Sequence, residues 1–302
     1  MKNYNILSLD GGGIRGLVLL KQIVKLEEIV GKPLNQHFNL ISGTSTGGII
    51  AVLLSLGYSA KELLNIYTVH GKKIFKKQFL RFGIFRPKYN DKYFNKIIKE
   101  YVGDKMLSDI LNDLVIIGYD VDSREKIIFK SRKAKINVNK NYTLFDVIRS
   151  TASAPTFFKP HIINKTNHHY VDGGLVINNP ALVSWVEALN YENSPEKINI
   201  ISFSTGIKEK KISKNILRGG MLKWASPTVD ILLAEQTRTT DYHMEKLYKR
   251  ESGIYVRCNS TIKYSSGKID DTSKKNIDNM LLDGAFSAES NLNAMLYFVQ
   301  NS

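Results

Sequence analysis

Short apolar runs alternate with longer segments of helical spacing along most of this chain, as strands do when each feeds a helix. Residues 4–9, Tyr4-Asn5-Ile6-Leu7-Ser8-Leu9, predict a strand ending at Asp10. Residues 14–30, with Leu17, Leu20, Val24 and Leu26 along one face, predict the helix after it. A second strand is predicted at 38–41, followed by an apolar helix that ends near Gly57. Ser59 reads as the cap of a helix over 61–69, and Phe94, Ile97, Ile98 and Tyr101 give helical spacing to 91–102 before Gly103. Strands follow at 114–119 and 126–129, then a helix over 143–152 that Thr143 and Asp146 open and Pro155 stops. Residues 169–171 predict a strand, 179–189 a helix led by Asn179-Pro180, and 198–204 a buried strand. Residues 208–223 read as a lysine-rich surface loop, Pro227 as the start of a long helix to about Tyr248, 254–258 as a short strand and 274–300 as a helical pair. No internal repeat is visible. Strand-helix-strand-helix order of this kind predicts an α/β fold with parallel strands. The loops after the first two strands then share one carboxyl edge, where such sheets bind ligands.

Composition narrows the class. A chain of 302 residues with 43% hydrophobic content can bury a large core without disulfide or metal. One compact domain over 1–302 is expected, with a core at 4–258 and a C-terminal helical extension at 259–302 packed on it. The single cysteine, Cys258, excludes an internal disulfide and fits a reducing compartment, or is a small buried apolar residue. The N-terminus is too short and polar for a secretory signal, and no apolar stretch approaches a membrane span. The expected location is cytoplasmic, with peripheral membrane association open.

Charge points to an anionic partner. The formal net charge is +15, concentrated in 72–88, 124–140 and 208–223, none of which has a nucleic-acid motif. Residues 72–88 hold seven basic residues, four phenylalanines and no acid. That mixture suits an anionic lipid surface, and equally a buried aromatic face on a solvated basic loop. An anionic membrane surface is therefore the expected partner, and nucleic acid is not.

Two glycine-rich turns hold the candidate chemistry. Gly43-Thr44-Ser45-Thr46-Gly47 joins the second strand to its helix, a corner that would push the Ser45 hydroxyl outward beside a helix N-terminus. Asp10-Gly11-Gly12-Gly13-Ile14-Arg15-Gly16 joins the first strand to its helix, and such a loop can hold an anion on its amides. Either a nucleotide phosphate or an ester-derived oxyanion would fit. The loop lacks the Lys-Ser/Thr of a phosphate loop and the later acid of a dinucleotide fold. Asp172-Gly173-Gly174 ends a later strand and offers a carboxylate. Asp120 and Asp122 follow a strand as turn residues, and no metal is assigned.

These motifs, in order with Ser153-Ala154-Pro155, Asn178-Asn179-Pro180 and Ser204-Thr205-Gly206, resemble the patatin-like phospholipases. The likeness includes Pro87-Lys88-Tyr89 and Leu107-Ser108-Asp109 and thins after about residue 258. It implies a three-layer α/β/α sandwich with a mostly parallel central sheet and hydrolysis of lipid acyl esters by a Ser/Asp dyad, without calcium or other cofactor. By position, Ser45 would be the nucleophile and Asp172 the base. Gly11, Gly12 and Gly13 would form the oxyanion hole, with Arg15 reinforcing it or bracing the loop, and the substrate would be a phospholipid or lysophospholipid. Asp10 would hold the glycine turn. A histidine triad is the alternative, with His161, His168, His169 or His243 as base and Asp172 orienting it. The same fold also admits a non-catalytic lipid-binding or storage protein, or a membrane-degrading effector switched on by a signal.

Overall fold

The computed structural model describes residues 3–76, 86–190, 195–208 and 212–302. The sheet is formed by β1 (Asn3–Leu9), β2 (Leu40–Thr44), β3 (Asp113–Asp120), β4 (Glu125–Lys130), β5 (His161–Ile163), β6 (His168–Asp172), β7 (Lys197–Phe203) and β8 (Tyr255–Cys258). Its order is β5-β6-β3-β2-β1-β7-β8, with β4 paired to β3. From β3 to β8 the neighbours are parallel. Antiparallel pairing is confined to β4 and β6 on β3 and β5 on β6.

Period-two burial explains the layers. Along β1, Leu7 and Leu9 join one apolar cluster and Tyr4 and Ile6 another. In β3, Leu114 and Ile116 point one way and Val115 and Ile117 the other. Both faces are apolar, so both need a helical cover.

On the first face lie α1 (Gly16–Val30), α2 (Leu34–His37), α3 (Thr46–Ser55), α4 (Ala60–Ile74), α5 (Lys92–Val102), α6 (Ser131–Ile136) and α7 (Leu144–Ala152). On the second lie α8 (Ala181–Leu189) and, after the short α9 (Lys214–Leu217), the C-terminal half of α10 (Met221–Leu247) through Met244. Two C-terminal helices, α11 (Lys274–Ser290) and α12 (Leu292–Asn301), complete the first side. Ile277 and Met280 of α11 pack with Leu17 and Val18 of α1, and Met295 and Phe298 of α12 enter the main cluster. The result is the α/β/α sandwich with a mostly parallel sheet.

Local signals account for several boundaries. Ser59 Oγ accepts the Glu62 N–H at 3.3 Å and the Glu62 carboxylate accepts the Ser59 N–H at 2.7 Å, a reciprocal cap that starts α4. Gly31 ends α1 in a left-handed conformation, φ 70°.

Elsewhere the pattern misleads. The long helix starts at Met221, not at Pro227, and α9 lies within the stretch expected to be loop. Proline lacks the N–H that would reach the Lys223 carbonyl and its ring crowds that oxygen, yet the helix continues through Pro227. Of the basic run 72–88, residues 77–85 lie outside the described residues. Among the described residues no helix is long and apolar enough to cross a membrane.

Candidate active site

One strand acts as the template for the site. On a single edge of β3, Thr44 of β2 pairs with Ile117, and Asp172 of β6 pairs with the next residue, Gly118. The chain leaving β2 at Ser45 and the end of β6 are thereby set side by side. The Ser45 hydroxyl donates to Asp172 Oδ2 at 2.6 Å.

Ser45 sits in a conformation that L-residues avoid, φ 54° and ψ −122°. Such strain costs roughly 1–3 kcal/mol and persists only where the surroundings impose it. Here the glycines permit it: a Cβ on Gly43 would lie 2.2 Å from the Gly47 carbonyl oxygen, and one on Gly47 would lie 2.2 Å from that of Leu9. Hydrogen bonds fix it. The Ser45 N–H donates to Thr151 Oγ1 at 2.8 Å, the Thr151 hydroxyl donates to the Ile117 carbonyl at 2.5 Å, and Thr44 Oγ1 donates to the Ile177 carbonyl at 2.8 Å. α3 begins at the next residue, so its positive end faces the hydroxyl.

Asp172 is buried and held at both ends. Its N–H donates to the Ser153 carbonyl at 3.1 Å, and its Oδ1 accepts the Gly174 N–H at 2.8 Å. Burial pushes its carboxyl up to about 6, against the pull of the Ser45 and Gly174 hydrogen bonds. A base in that range is matched to neutral pH.

The first glycine loop lies alongside, and its amides are not equivalent. Gly11 N–H donates to the Asn178 carbonyl at 3.1 Å and Ile14 N–H to that of Ile269 at 2.8 Å. Neither Gly12 nor Gly13 N–H has an acceptor among the described residues, and both glycines line a cavity with Ser45. The loop is braced from behind: Thr205 Oγ1 donates to the Gly11 carbonyl at 2.7 Å, and Arg15 Nε to that of Gly12 at 3.4 Å. Arg15 lines a neighbouring cavity of about 630 Å³ rather than the one holding Ser45. Asp10 is locked by Arg257 of β8, Nη1 to Oδ1 at 3.0 Å and Nη2 to Oδ2 at 2.5 Å, which keeps the guanidinium charged.

The cavity on Ser45 has a volume of about 890 Å³. Its walls are apolar side chains of α3, α4, α5 and α7, among them Ile49, Leu53, Ile66, Phe94, Ile98 and Ile148. The exposed members of its lining, Pro155, Thr156, Leu175, Val229, Asp230 and Lys268, mark the opening. Beside it Asp270 is held by Lys88 and accepts from Tyr89 Oη at 2.7 Å.

No histidine among the described residues lines this cavity. His161, His168 and His169 are engaged by Asp146, Asp120 and Asp122, and His243 is exposed on α10. Asp120 Oδ1 accepts the N–H groups of Asp122 and Ser123 in the β3–β4 turn. Thr151, Asn178, Thr205, Arg257 and Ile269 also hold the site, and local sequence pattern gives none of them a role. Only Asn178 and Thr205 stood in motifs that could have drawn attention to them.

A family model described as patatin-like phospholipase matches residues 7–185. Patatin-like protein 1 of Arabidopsis thaliana is 28% identical over 326 residues, covering 91% of this chain and 79% of its own. Patatin-like protein 2 of Oryza sativa subsp. indica is 27% identical, covering 97% of this chain and 85% of its own. Among solved structures, VipD from Legionella pneumophila superposes with a TM-score of 0.49 at 13% identity, over 98% of this chain and 67% of VipD. Human GIVD cytosolic phospholipase A2 does so with a TM-score of 0.49 at 9% identity, over 99% of this chain and 58% of that one.

Proposed function

The chain belongs to the patatin-like phospholipase family, whose model spans more than half of it, and on that premise we propose that it is a lipid acyl hydrolase of phospholipase A or lysophospholipase type. The observation that carries this reading is the 2.6 Å Ser45–Asp172 hydrogen bond at one end of an apolar cavity large enough for a fatty-acyl chain. In the proposed reaction Asp172 takes the Ser45 proton as Oγ attacks the ester carbonyl. The negative charge that develops on the carbonyl oxygen meets the amides of Gly12 and Gly13, a well-aimed donor being worth roughly 3 kcal/mol. Collapse breaks the bond to the alcohol, which leaves as a lysolipid with the proton from Asp172. Water, deprotonated by the same carboxylate, then releases the fatty acid and restores Ser45.

Each step falls to residues of the chain itself. The whole of 1–302 works as one catalytic unit in this reading, because Arg257 holds Asp10 and Ile269 holds the glycine loop from beyond the family match. The substrate is met at a membrane surface, where the +15 charge favours anionic lipid.

Fatty-acid release from defined phospholipids tests the reading. Ser45→Ala is expected to lower kcat by roughly 10⁴-fold or more, and Asp172→Asn by a comparable factor, since groups acting as a unit fail together. Near wild-type release by either variant would sink the dyad.

A further inference from the structure

The lipid-hydrolysing reading leaves unassigned the way a bilayer lipid reaches a cavity whose reactive end is buried. α10 is two different helices in one. Its C-terminal half is anchored by Thr237 and Met244, both buried, whereas residues 228–232 are all exposed. Across α9 and this first half, Leu217 is 56%, Met221 84%, Val229 45%, Ile231 41% and Leu232 55% exposed. These side chains cluster within sixteen residues, too densely for the scattered surface apolar residues of a water-facing helix.

Charge is distributed to match. Lys214, Arg218 and Lys223 are interleaved with the apolar residues, and Asp230 is the lone acid between 212 and 232. Apolar side chains that can enter the acyl region, with cations at headgroup level, are what an anionic lipid surface recognises, each cation near it adding to the attraction. The surface is continuous with the cavity: Val229 and Asp230 line its opening together with exposed Leu175 and Lys268.

We propose that α9 and the N-terminal half of α10 are the membrane-docking face of this protein, laid on an anionic bilayer so that the cavity opens directly into the leaflet. The face and the reaction are separable, because Leu217, Met221 and Leu232 line neither the cavity nor the dyad. A lipid would pass from the leaflet between α10 and the loop at Lys268 to reach Ser45 without crossing water. This assigns docking to residues 214–232.

The test uses the full-length protein with vesicles of phosphatidylcholine, with and without phosphatidylglycerol. Binding is measured in a Ser45→Ala background so that lipid is not consumed, and hydrolysis is followed on vesicles and on a short-chain soluble ester. Wild type and Ser45→Ala should bind the phosphatidylglycerol vesicles. The triple variant Leu217→Asp/Met221→Asp/Leu232→Asp should lose binding and vesicle hydrolysis by about tenfold or more, with soluble-ester hydrolysis changed less than about twofold. Arg218→Glu/Lys223→Glu, which leaves the apolar residues in place, should lose the preference for phosphatidylglycerol. Unchanged vesicle binding by both variants overturns the proposal. So does light scattering that shows the triple variant splitting a wild-type dimer while vesicle binding is retained, since the face then belongs to a second copy. Loss of binding in a protein whose Ser45→Ala form still releases fatty acid would refute the dyad and leave the docking face standing.

Discussion

At its inner end the cavity is closed by Ser45, Asp172 and the glycine loop, where a single added methyl has nowhere to go. At its outer end it is rimmed by α10, where whole side chains stand in solvent. The inner end spends conformational strain at Ser45 and the desolvation of a carboxylate to hold one geometry, and it can do so because β3 and α7 surround it with hydrogen-bond partners. The outer end spends nothing on geometry and leaves apolar area uncovered. The contrast separates what catalysis requires, fixed atoms within fractions of an ångström, from what a lipid interface requires, area and charge of the right kind.

The sharpest way to break this contrast is a methyl at the inner end. Gly47→Ala would set a Cβ 2.2 Å from the Leu9 carbonyl oxygen and 2.6 Å from that of Asp10, backbone atoms that cannot swing aside. Denaturant unfolding should show a loss of about 3 kcal/mol or more, or no folded protein at all. A loss below about 1 kcal/mol would mean that the backbone around the elbow can give way to a methyl group.

A smaller effect tests the buried carboxylate. With its folded value raised from 3.8 to about 6, Asp172 favours the folded state most below about pH 4, and that contribution is lost as pH rises through about 6. Wild type should therefore lose stability relative to Asp172→Asn over that window, by at most about 3 kcal/mol. The same group should put an ascending limb in kcat/KM with a midpoint near 6. Identical pH dependences of stability in the two proteins would show that Asp172 is not desolvated.

The smallest effect belongs to the rim. Leu232→Asp should alter unfolding stability by no more than about 0.5 kcal/mol, since an exposed side chain loses little on replacement. A destabilisation of several kcal/mol would reveal that α10 is packed, not presented.

Much of the scaffold was readable because it depends on local chemistry. Strands at 4–9 and 198–204 are legible as short runs rich in apolar residues, and the caps at Ser59 and Thr143 are set by side chains three residues apart. The start of α10 was missed because proline usually opens a helix and nothing local said that this one continues through it. The division of labour within the glycine loop was equally hidden. Gly11, Gly12 and Gly13 are identical in sequence, and only the Asn178 carbonyl, from a distant turn, singles out the first.

By itself the sequence determined the α/β alternation, the glycine corners and the candidate nucleophile and acid, because backbone sterics and apolar periodicity act over a few residues. Tertiary structure alone decided that Ser45 and Asp172, 127 positions apart, share a hydrogen bond. It also decided that Asp10 answers to Arg257 and that the first half of α10 is left uncovered at the mouth of the cavity. Those outcomes depend on which strands lie beside β3 and which faces the packed helices leave free, and contacts between distant segments leave no periodic trace in the chain.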